Sequence, residues 1–410
     1  MDQQPAAAAH VDALLVSLSY LDDAAKIERL ASLSAEDWQQ AAALARRHEV
    51  GPLFYYRLRS LPLNLPAELL GRLKQQYRLN GQRNLILYQS LSKLLRRLQQ
   101  KEVRVIPLKG AYLAEMVYPD LGLRSMVDVD LLAKEEDLAG IHEELIALGY
   151  VSEDVQRFVG ETNHHFGYRR AEANLRLELH WVLAQQGPLR EETPELWRRA
   201  HPVKLAQSPA WALAREDLLL YICWHAVKHT YEFQLKSLCD LGELLRCQGQ
   251  DLDWQVIGQR ARQLGILRPL YMLLRLVQDW LALPVEQLPA LRPDDFDECY
   301  LDLLSEQIFA VRAGMNHIQK VDGLLQAPGL AGKLAHLMAT LFPSREYMAF
   351  RYPAPANSWR IYLYYPVRWR YLLREHGARL GRLLRGDSQA RAAAERTNQI
   401  TSLREWLMSG

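Results

Sequence analysis

The stretch that decides the fold reads Met126-Val127-Asp128-Val129-Asp130-Leu131-Leu132. If it is a strand, side chains alternate between two faces, so the apolar residues from Val127 to Leu131 share one face while Asp128 and Asp130 share the other. The two carboxylates would then lie roughly 7 Å apart. Like charges at that separation need a compensating cation, and oxygen ligands suit Mg²⁺. We therefore expect a metal site, with a solvated strand end as the alternative.

A second alternating segment, Asn174 to Trp181, supplies another carboxylate. In a strand, one face would carry Leu175, Leu177 and Leu179, and the other would carry Arg176, Glu178 and His180. Glu178 is therefore expected to join the two aspartates from a neighbouring strand. Three carboxylates on adjacent strands are typical of sites that hold a nucleoside triphosphate through divalent metal.

A turn at Lys109-Gly110-Ala111 precedes these carboxylates and is predicted to open a short helix. Backbone amides at a helix N-terminus bind phosphate well. We expect Lys109, next to the glycine of this turn, to contact the nucleotide as well.

Further motifs accompany the three carboxylates. They are Leu108-Lys109-Gly110, Tyr118-Pro119-Asp120, Arg124, Asp128 to Leu132, Leu148-Gly149-Tyr150, His164-His165, Glu178 to Trp181, His225 to His229 and Leu235 to Leu241. With these motifs the chain resembles the bacterial uncharacterised nucleotidyltransferase family of the DNA polymerase β superfamily, from about residue 80 to about residue 280. The superfamily turn is Gly-Gly or Gly-Ser, whereas here Ala111 follows Gly110.

The resemblance implies that Asp128 and Asp130 bind the metal, Mg²⁺ or Mn²⁺, that organises the triphosphate. Glu178 would join them on a second ion and activate the acceptor, while Gly110 and Ala111 would lie against the phosphates. Two ions can clamp the attacking and leaving oxygens of an in-line displacement. The implied reaction transfers a nucleoside monophosphate from an NTP to an acceptor hydroxyl and releases pyrophosphate. The acceptor would be a small molecule, a glycan precursor or a protein.

Three further charged residues are candidates for nucleotide binding. By the resemblance, Lys236 reaches the triphosphate and Asp240 orients it, with a structural ion pair as the alternative. Arg124 either neutralises phosphate charge or pairs with Asp120 or Asp128.

Three histidines are candidates for substrate contact. His225 and His229 share one helix face at i,i+4 spacing, but Cys223 points away, so a zinc site lacks a third ligand. A polar helix–helix seam is the alternative for this pair. His165, or its neighbour His164, precedes a predicted strand beside the metal site, and simple solvation is its alternative.

Composition is that of a globular protein with ample apolar residues. The chain has 410 residues, 49% of them hydrophobic, and a formal net charge of +2, which argues against a protein that coats nucleic acid. Its four cysteines show no paired framework, and the N-terminus lacks the pattern of a signal peptide. Apolar stretches such as Leu218 to Trp224 are much shorter than the roughly 20 residues that span a bilayer. A cytoplasmic location is expected.

The fold class expected is α+β, a mostly helical chain around a small mixed sheet of the nucleotidyltransferase type. The expected parts are an N-terminal helical region (1–100), an αβ core (101–200), a helical domain (201–345) and a basic, aromatic C-terminal region (346–410). Helices are predicted within His10 to Asn80, with a capping box at Ser34, and from Gln82 to Gln100, with an apolar face of Leu85, Tyr88, Leu91, Leu95 and Leu98. A strand is predicted from Val103 to Leu108 and a helix from Glu135 to Leu148, ended by Gly149. A hairpin of His165 to Arg170 with Leu175 to Trp181 follows, and then helices from Ala214 to about Leu341.

The segment from Trp359 to Arg396 combines many arginines with Tyr, Trp and Leu. This composition suggests contact with an anionic membrane surface or with nucleic acid. The alternative is a helix packed on the domain with a charged outer face.

Two alternatives to nucleotidyl transfer stay open at this stage. One is a non-catalytic interaction protein on the same scaffold, although such scaffolds tend to lose the carboxylates that are present here. The other is phosphoryl transfer at the same metal site.

Overall fold

The structure is a computed structural model that describes residues 8–152, 165–171, 175–184, 188–228 and 233–309, together with short pieces at 338, 341–345, 348, 354–355, 357–370, 399 and 401–407. The chain forms two compact units, one of Met1–Leu301 with Trp406–Gly410 and one of Asp302–Glu405. The mostly helical α+β fold with a small mixed sheet is confirmed. The division into four domains stays a prediction.

The larger unit begins with five helices: α1 (Ala9–Leu18), α2 (Asp23–Leu30), α3 (Ala35–Arg47), α4 (Gly51–Leu58) and α5 (Ala67–Gln100). The capping box is confirmed, because Ser34 accepts from the Asp37 amide and the Asp37 carboxylate accepts from the Ser34 amide. Helix α5 starts 15 residues before the predicted Gln82. Leu85 was wrongly placed on its apolar face and is 54% exposed, whereas the other four predicted residues are buried.

A five-stranded sheet follows, with the order β1-β2-β5-β4-β3. Its strands are β1 (Val105–Pro107), β2 (Val129–Ala133), β3 (Val151–Ser152), β4 (His165–Arg170) and β5 (Leu175–His180). Strands β2 and β5 are parallel, and every other neighbouring pair is antiparallel. The predicted hairpin of β4 and β5 is confirmed.

Strand β2 begins later than the alternating pattern predicts. Val129 is its first residue, so Asp128 lies just before the strand and Val127 is 43% exposed instead of packing with Val129 and Leu131. The preceding loop is held by side chains of α5, since Arg83 donates to the Val127 carbonyl and Asn84 donates to the carbonyls of residues 121 and 124. These carbonyls are therefore engaged by side chains and not by a strand partner.

Helix α6 (Lys109–Met116) lies between β1 and β2, and a 3-10 turn (Glu135–Asp137) leads from β2 into α7 (Leu138–Ala147). Gly149 follows α7 with φ 83°, the left-handed conformation that ends many helices and that glycine adopts without strain. The predicted helix and its terminating glycine are therefore confirmed.

The alternating patterns gave no indication of a second, two-stranded sheet. After α8 (Pro188–Glu191) and α9 (Thr193–Arg199), strands β6 (His201–Leu205) and β7 (Ser208–Ala212) form a hairpin. Its turn residues, Ala206 and Gln207, both have positive φ, 51° and 57°. Asn-Gly or Asp-Gly is the usual sequence for such a turn, and Ala-Gln carries no comparable signal.

The predicted helical region is confirmed as far as the structure describes it. It contains α10 (Arg215–Lys228), α11 (Leu235–Gln248), α12 (Trp254–Gln263), α13 (Leu267–Leu281) and α14 (Cys299–Phe309). Helices α10, α11 and α13 pack on one another, and most of their apolar side chains, including many leucines and Met272, are buried. Most of the stretch from 310 to 341 lies outside the described residues.

The smaller unit has a core of its own. Met348, Ala354, Ile361 and Tyr365 are buried together, and Trp369 packs against them. A 3-10 helix (Trp359–Leu363) runs into a helical stretch at 364–370, while the arginines from 371 to 398 lie outside the described residues. Membrane or nucleic-acid contact by this region stays a prediction. No helix among the described residues combines the length and apolar character needed to cross a membrane.

Candidate active site

Two acidic residues lie side by side on the parallel strands at the centre of the sheet. Asp130 of β2 and Glu178 of β5 are register partners. Both strands bury their leucines, Leu131 and Leu179, on the opposite face, so the acidic side chains must share the other face. Alternation in the sequence therefore placed these two carboxylates correctly.

His180 completes this acidic cluster, and its role was not anticipated. Its Nε2 lies 3.0 Å from Asp130 Oδ1 and 3.4 Å from a Glu178 carboxylate oxygen. One ligand atom from each of Asp130, Glu178 and His180 lies within 4.8 Å of the others, close enough for all three to bind one metal ion. The available signal was the alternating pattern itself, which puts His180 two residues after Glu178 and on the same face.

Asp128 stands beside this cluster and feels its negative charge. Burial raises the pKa of Asp128 above its usual value, and repulsion by Asp130 and Glu178 raises it further. For Asp130 burial acts in the same direction, but Lys109 and His180 outweigh it and hold the pKa of Asp130 well below the usual range. The site therefore favours the charge of Asp130 and disfavours that of Asp128, and a divalent cation would favour both.

Hydrogen bonds tie the protonation of Glu178 and His180 together. The hydrogen bond from His180 lowers the pKa of Glu178, although burial opposes this shift. Burial disfavours the imidazolium form of His180, but its hydrogen bonds to Asp130 and Glu178 outweigh burial and raise the pKa of His180. The ring of His165 lies 5.0 Å from the His180 ring, centroid to centroid, so this predicted contact residue also adjoins the cluster.

Lys109 points into the acidic cluster. Its Nζ donates to Asp130 Oδ1 at 3.0 Å and also contacts the hydroxyl of buried Tyr221. Burial by itself would lower the pKa of Lys109, but contacts with Tyr221 and Asp130 outweigh it and hold the pKa above its ordinary value. In this structure the ammonium of Lys109 is thus already hydrogen-bonded to Asp130.

The predicted phosphate turn lies at the start of α6. Ala111 is buried and its amide donates to the Leu108 carbonyl. A Cβ on Gly110 would lie 2.8 Å from an Arg124 nitrogen and 2.9 Å from Met126 Cγ. Glycine at this position therefore allows the loop before Asp128 to pack closely on α6.

Arg124 pairs with Asp240, and not with Asp120 or Asp128 as the sequence suggested. Its Nε and Nη2 donate to the two Asp240 oxygens at 3.0 and 2.7 Å, and the Tyr118 hydroxyl donates to the same carboxylate at 2.8 Å. All three side chains are buried. The pairing was missed because the two partners lie on separate elements, 116 positions apart in the chain.

Lys236 forms an ion pair and also lies near the acidic cluster. Its ammonium donates to Glu49 and is close enough to Asp128 to favour ionisation of that carboxylate. Burial, followed by repulsion from Arg124, lowers the pKa of Lys236 in spite of Glu49. In the structure Lys236 thus forms an ion pair with Glu49, whereas Asp240 pairs with Arg124, and Lys236 also lies near the carboxylates.

The remaining predicted contact residues are the two histidines of α10 and the segment after it. The His225 ring lies 6.0 Å from the ring of Tyr221, whose hydroxyl contacts Lys109. His229 and His164 lie outside the described residues. The structure therefore brings together Asp128, Asp130, Glu178, Lys109 and His165, and places Asp240 in a separate ion pair with Arg124.

Comparison with known protein families identifies the family to which the chain belongs. A family model described as an uncharacterised nucleotidyltransferase matches residues 34–282, more than half of the chain. The chain therefore belongs to this nucleotidyltransferase family, and the resemblance noted in the sequence is confirmed. The match runs from α3 through α13 and includes both sheets. No curated protein matches the chain.

Proposed function

We propose that the protein is a metal-dependent nucleotidyltransferase that moves a nucleoside monophosphate group from an NTP to an acceptor hydroxyl and releases pyrophosphate. The observation that carries this proposal is the register pairing of Asp130 with Glu178 on parallel central strands, with Asp128 directly before β2. Membership of the nucleotidyltransferase family supports it.

The donor set suits a divalent cation. Carboxylate oxygens of Asp130 and Glu178 are the hard ligands that Mg²⁺ and Mn²⁺ prefer, and His180 offers a nitrogen that Mn²⁺ accepts more readily than Mg²⁺ does. Asp128 is not part of this group of three, and we propose it as a further ligand from its position directly before β2. The raised pKa of Asp128 is the second indication, because burial and then repulsion by Asp130 and Glu178 disfavour its charge, and a bound cation would favour it. When bound, the metal would polarise the phosphate and neutralise charge that develops during transfer.

The residues of the chain have separate roles in this reaction. Glu178, half-buried and with a pKa held low by His180, accepts the proton of the acceptor hydroxyl. The hydroxyl oxygen forms a bond to the α-phosphorus, and the bond from that phosphorus to the bridging oxygen of the β-phosphate breaks. Lys109, at the N-terminal end of α6, binds the phosphates that leave as pyrophosphate.

The acceptor is a small molecule, a glycan precursor or a protein that carries a free hydroxyl. A labelling experiment addresses both the reaction and this acceptor. Purified protein is incubated with Mg²⁺ or Mn²⁺, a cell lysate as acceptor pool, and NTPs labelled either at the α- or at the γ-phosphate. Transfer of the α-label alone is the expected result, and size fractionation of the product then separates the three acceptor classes.

Matched variants make the experiment specific to the proposed site. Asp130→Asn and Glu178→Gln keep the shape of the side chain and remove its charge, and both should abolish labelling. Glu135→Gln changes an exposed carboxylate in the turn after β2 and should label as the wild type does. Transfer of the γ-label would indicate phosphoryl transfer. Folded protein that binds no nucleotide with either metal would overturn the proposal and favour an interaction scaffold.

A further inference from the structure

Lys109 brings a positive charge into the acidic cluster, where it contacts Asp130. Its ammonium and the His180 imidazole both donate to the same oxygen of Asp130, Oδ1, each at 3.0 Å. Two donors engage the lone pairs of that oxygen. A metal ion that binds through Oδ1 must therefore displace one of the two.

Lys109 is the partner that can leave. His180 is held in the middle of the sheet by the parallel pairing of β5 with β2, and its ring is 7% exposed, whereas the Lys109 side chain is 21% exposed and ends in a flexible four-carbon chain. The backbone of Lys109 has φ 45°, a left-handed conformation that is strained for a non-glycine residue. The fold thus retains a strained lysine where glycine would fit without strain.

We propose that Lys109 is the internal counter-ion of Asp130, and that its ammonium moves from Asp130 to the nucleotide phosphates when a divalent cation enters the cluster. This inference rests on the proposed nucleotidyl transfer. Lys109 is the first residue of α6, so the released ammonium remains beside the helix N-terminus that binds phosphate. The ammonium would then face the phosphates only after a metal ion has replaced it at Asp130.

The chain contains a matched control in Lys228. This lysine of α10 is near enough to Asp130 and Glu178 to interact with their charges, but its ammonium lies over the Trp224 ring, 5.0 Å from the centroid. Lys228→Met removes one positive charge near the cluster but leaves the hydrogen bond between Lys109 and Asp130 in place. Lys109→Met also removes one positive charge, and it removes that hydrogen bond as well.

Titration of Mn²⁺ without nucleotide, followed by electron paramagnetic resonance, tests the displacement. We expect Lys109→Met to bind Mn²⁺ about tenfold more tightly than wild type, and Lys228→Met to change affinity by much less. Lys109→Arg keeps the counter-ion and should bind Mn²⁺ no more tightly than wild type. Thermal unfolding in EDTA provides a second readout, since Lys109→Met should lose stability there and regain it with Mn²⁺.

Nucleotide binding tests the second half of the proposal. With Mn²⁺ saturating, Lys109→Met should bind ATP more weakly than wild type, while Lys228→Met should bind it similarly. Unchanged or weaker Mn²⁺ binding by folded Lys109→Met would overturn the inference and leave the proposed function intact. Equal tightening by Lys228→Met would also overturn it, because the effect would then be general electrostatics. Absence of Mn²⁺ and ATP binding in wild type and all variants would overturn both.

Discussion

Arg124 and Asp240 form a buried, two-pronged ion pair that joins the loop before Asp128 to helix α11. The loop therefore depends on a helix that follows it by more than one hundred residues. Asp240 is shielded from solvent together with its partner, so neither charge can be satisfied by water if the other is removed. This geometry favours a role in positioning the loop over direct contact with nucleotide.

Asp240→Asn should therefore destabilise the fold. Breaking a buried pair by removing one partner typically costs about 3–5 kcal/mol, because a charge is left uncompensated. Urea denaturation followed by circular dichroism measures this loss. The double variant Arg124→Met/Asp240→Asn should lose less than the sum of the single variants. Asp240→Asn with wild-type stability but weakened nucleotide binding would instead support the role that the family resemblance implied.

His180 should affect metal binding more than stability. Its hydrogen bonds orient Asp130 and Glu178, and loss of such partners usually costs 10- to 100-fold in metal affinity or activity. His180→Ala should show this loss in a Mn²⁺ titration, and His180→Gln, which can still donate to Asp130, should recover part of it. His201→Ala, at an exposed position on β6, serves as the control. Equal Mn²⁺ affinity in all three variants would show that His180 takes no part in metal binding.

Lys236 has two possible partners, and paired variants separate them. If Lys236 binds the triphosphate, Lys236→Met should weaken NTP binding by about 10-fold or more, the loss expected for a hydrogen bond to a charged group. Glu49→Gln frees the lysine from its ion pair and should leave NTP binding unchanged or stronger. Isothermal titration with Mg²⁺ and ATP measures both variants. A fall in melting temperature for both, with no change in ATP affinity, would show that the ion pair is only structural.

Glu144 should make stability depend on pH in the acid range. Hydrogen bonds from Lys101, directly after α5, and from Arg97 of α5 lower the pKa of Glu144 below its ordinary value of about 4.3. A carboxylate with a depressed folded-state pKa stabilises the fold above the unfolded pKa, and this contribution disappears as pH falls through the folded pKa. Glu144→Gln should therefore lower the melting temperature at pH 7, and the difference from wild type should shrink below about pH 4. A constant difference from pH 7 to pH 3 would contradict this assignment.

Much of the fold followed from local patterns in the sequence. Alternation over Leu175–His180 located β5, and Gly149 marked the end of α7, because each pattern reports one element. Val127 was misplaced because its loop is held by a side chain of α5, Arg83, which alternation does not reveal.

The parts of the site that the sequence did not reveal depend on tertiary contacts. The partner of Arg124 and the attachment of Lys109 to Asp130 connect elements that are distant in the chain. His180 was on the correct face of its strand, but the pattern gave no reason to single it out from Arg176, which shares that face and is exposed. Residue type and alternation thus located the carboxylates, whereas their partners required the three-dimensional structure.

The side-chain contacts of α5 and α11 have a consequence for any shortened form of the protein. A fragment limited to residues 101–200 would retain Asp128, Asp130 and Glu178, but it would lack Asn84, which holds the loop from one side, and Asp240, which neutralises Arg124 from the other. Such a fragment would expose an unpaired guanidinium where the intact chain buries one. The smallest autonomous unit should therefore extend at least from α5 through α11, and insertions or gene fusions should be tolerated better outside that span than within it.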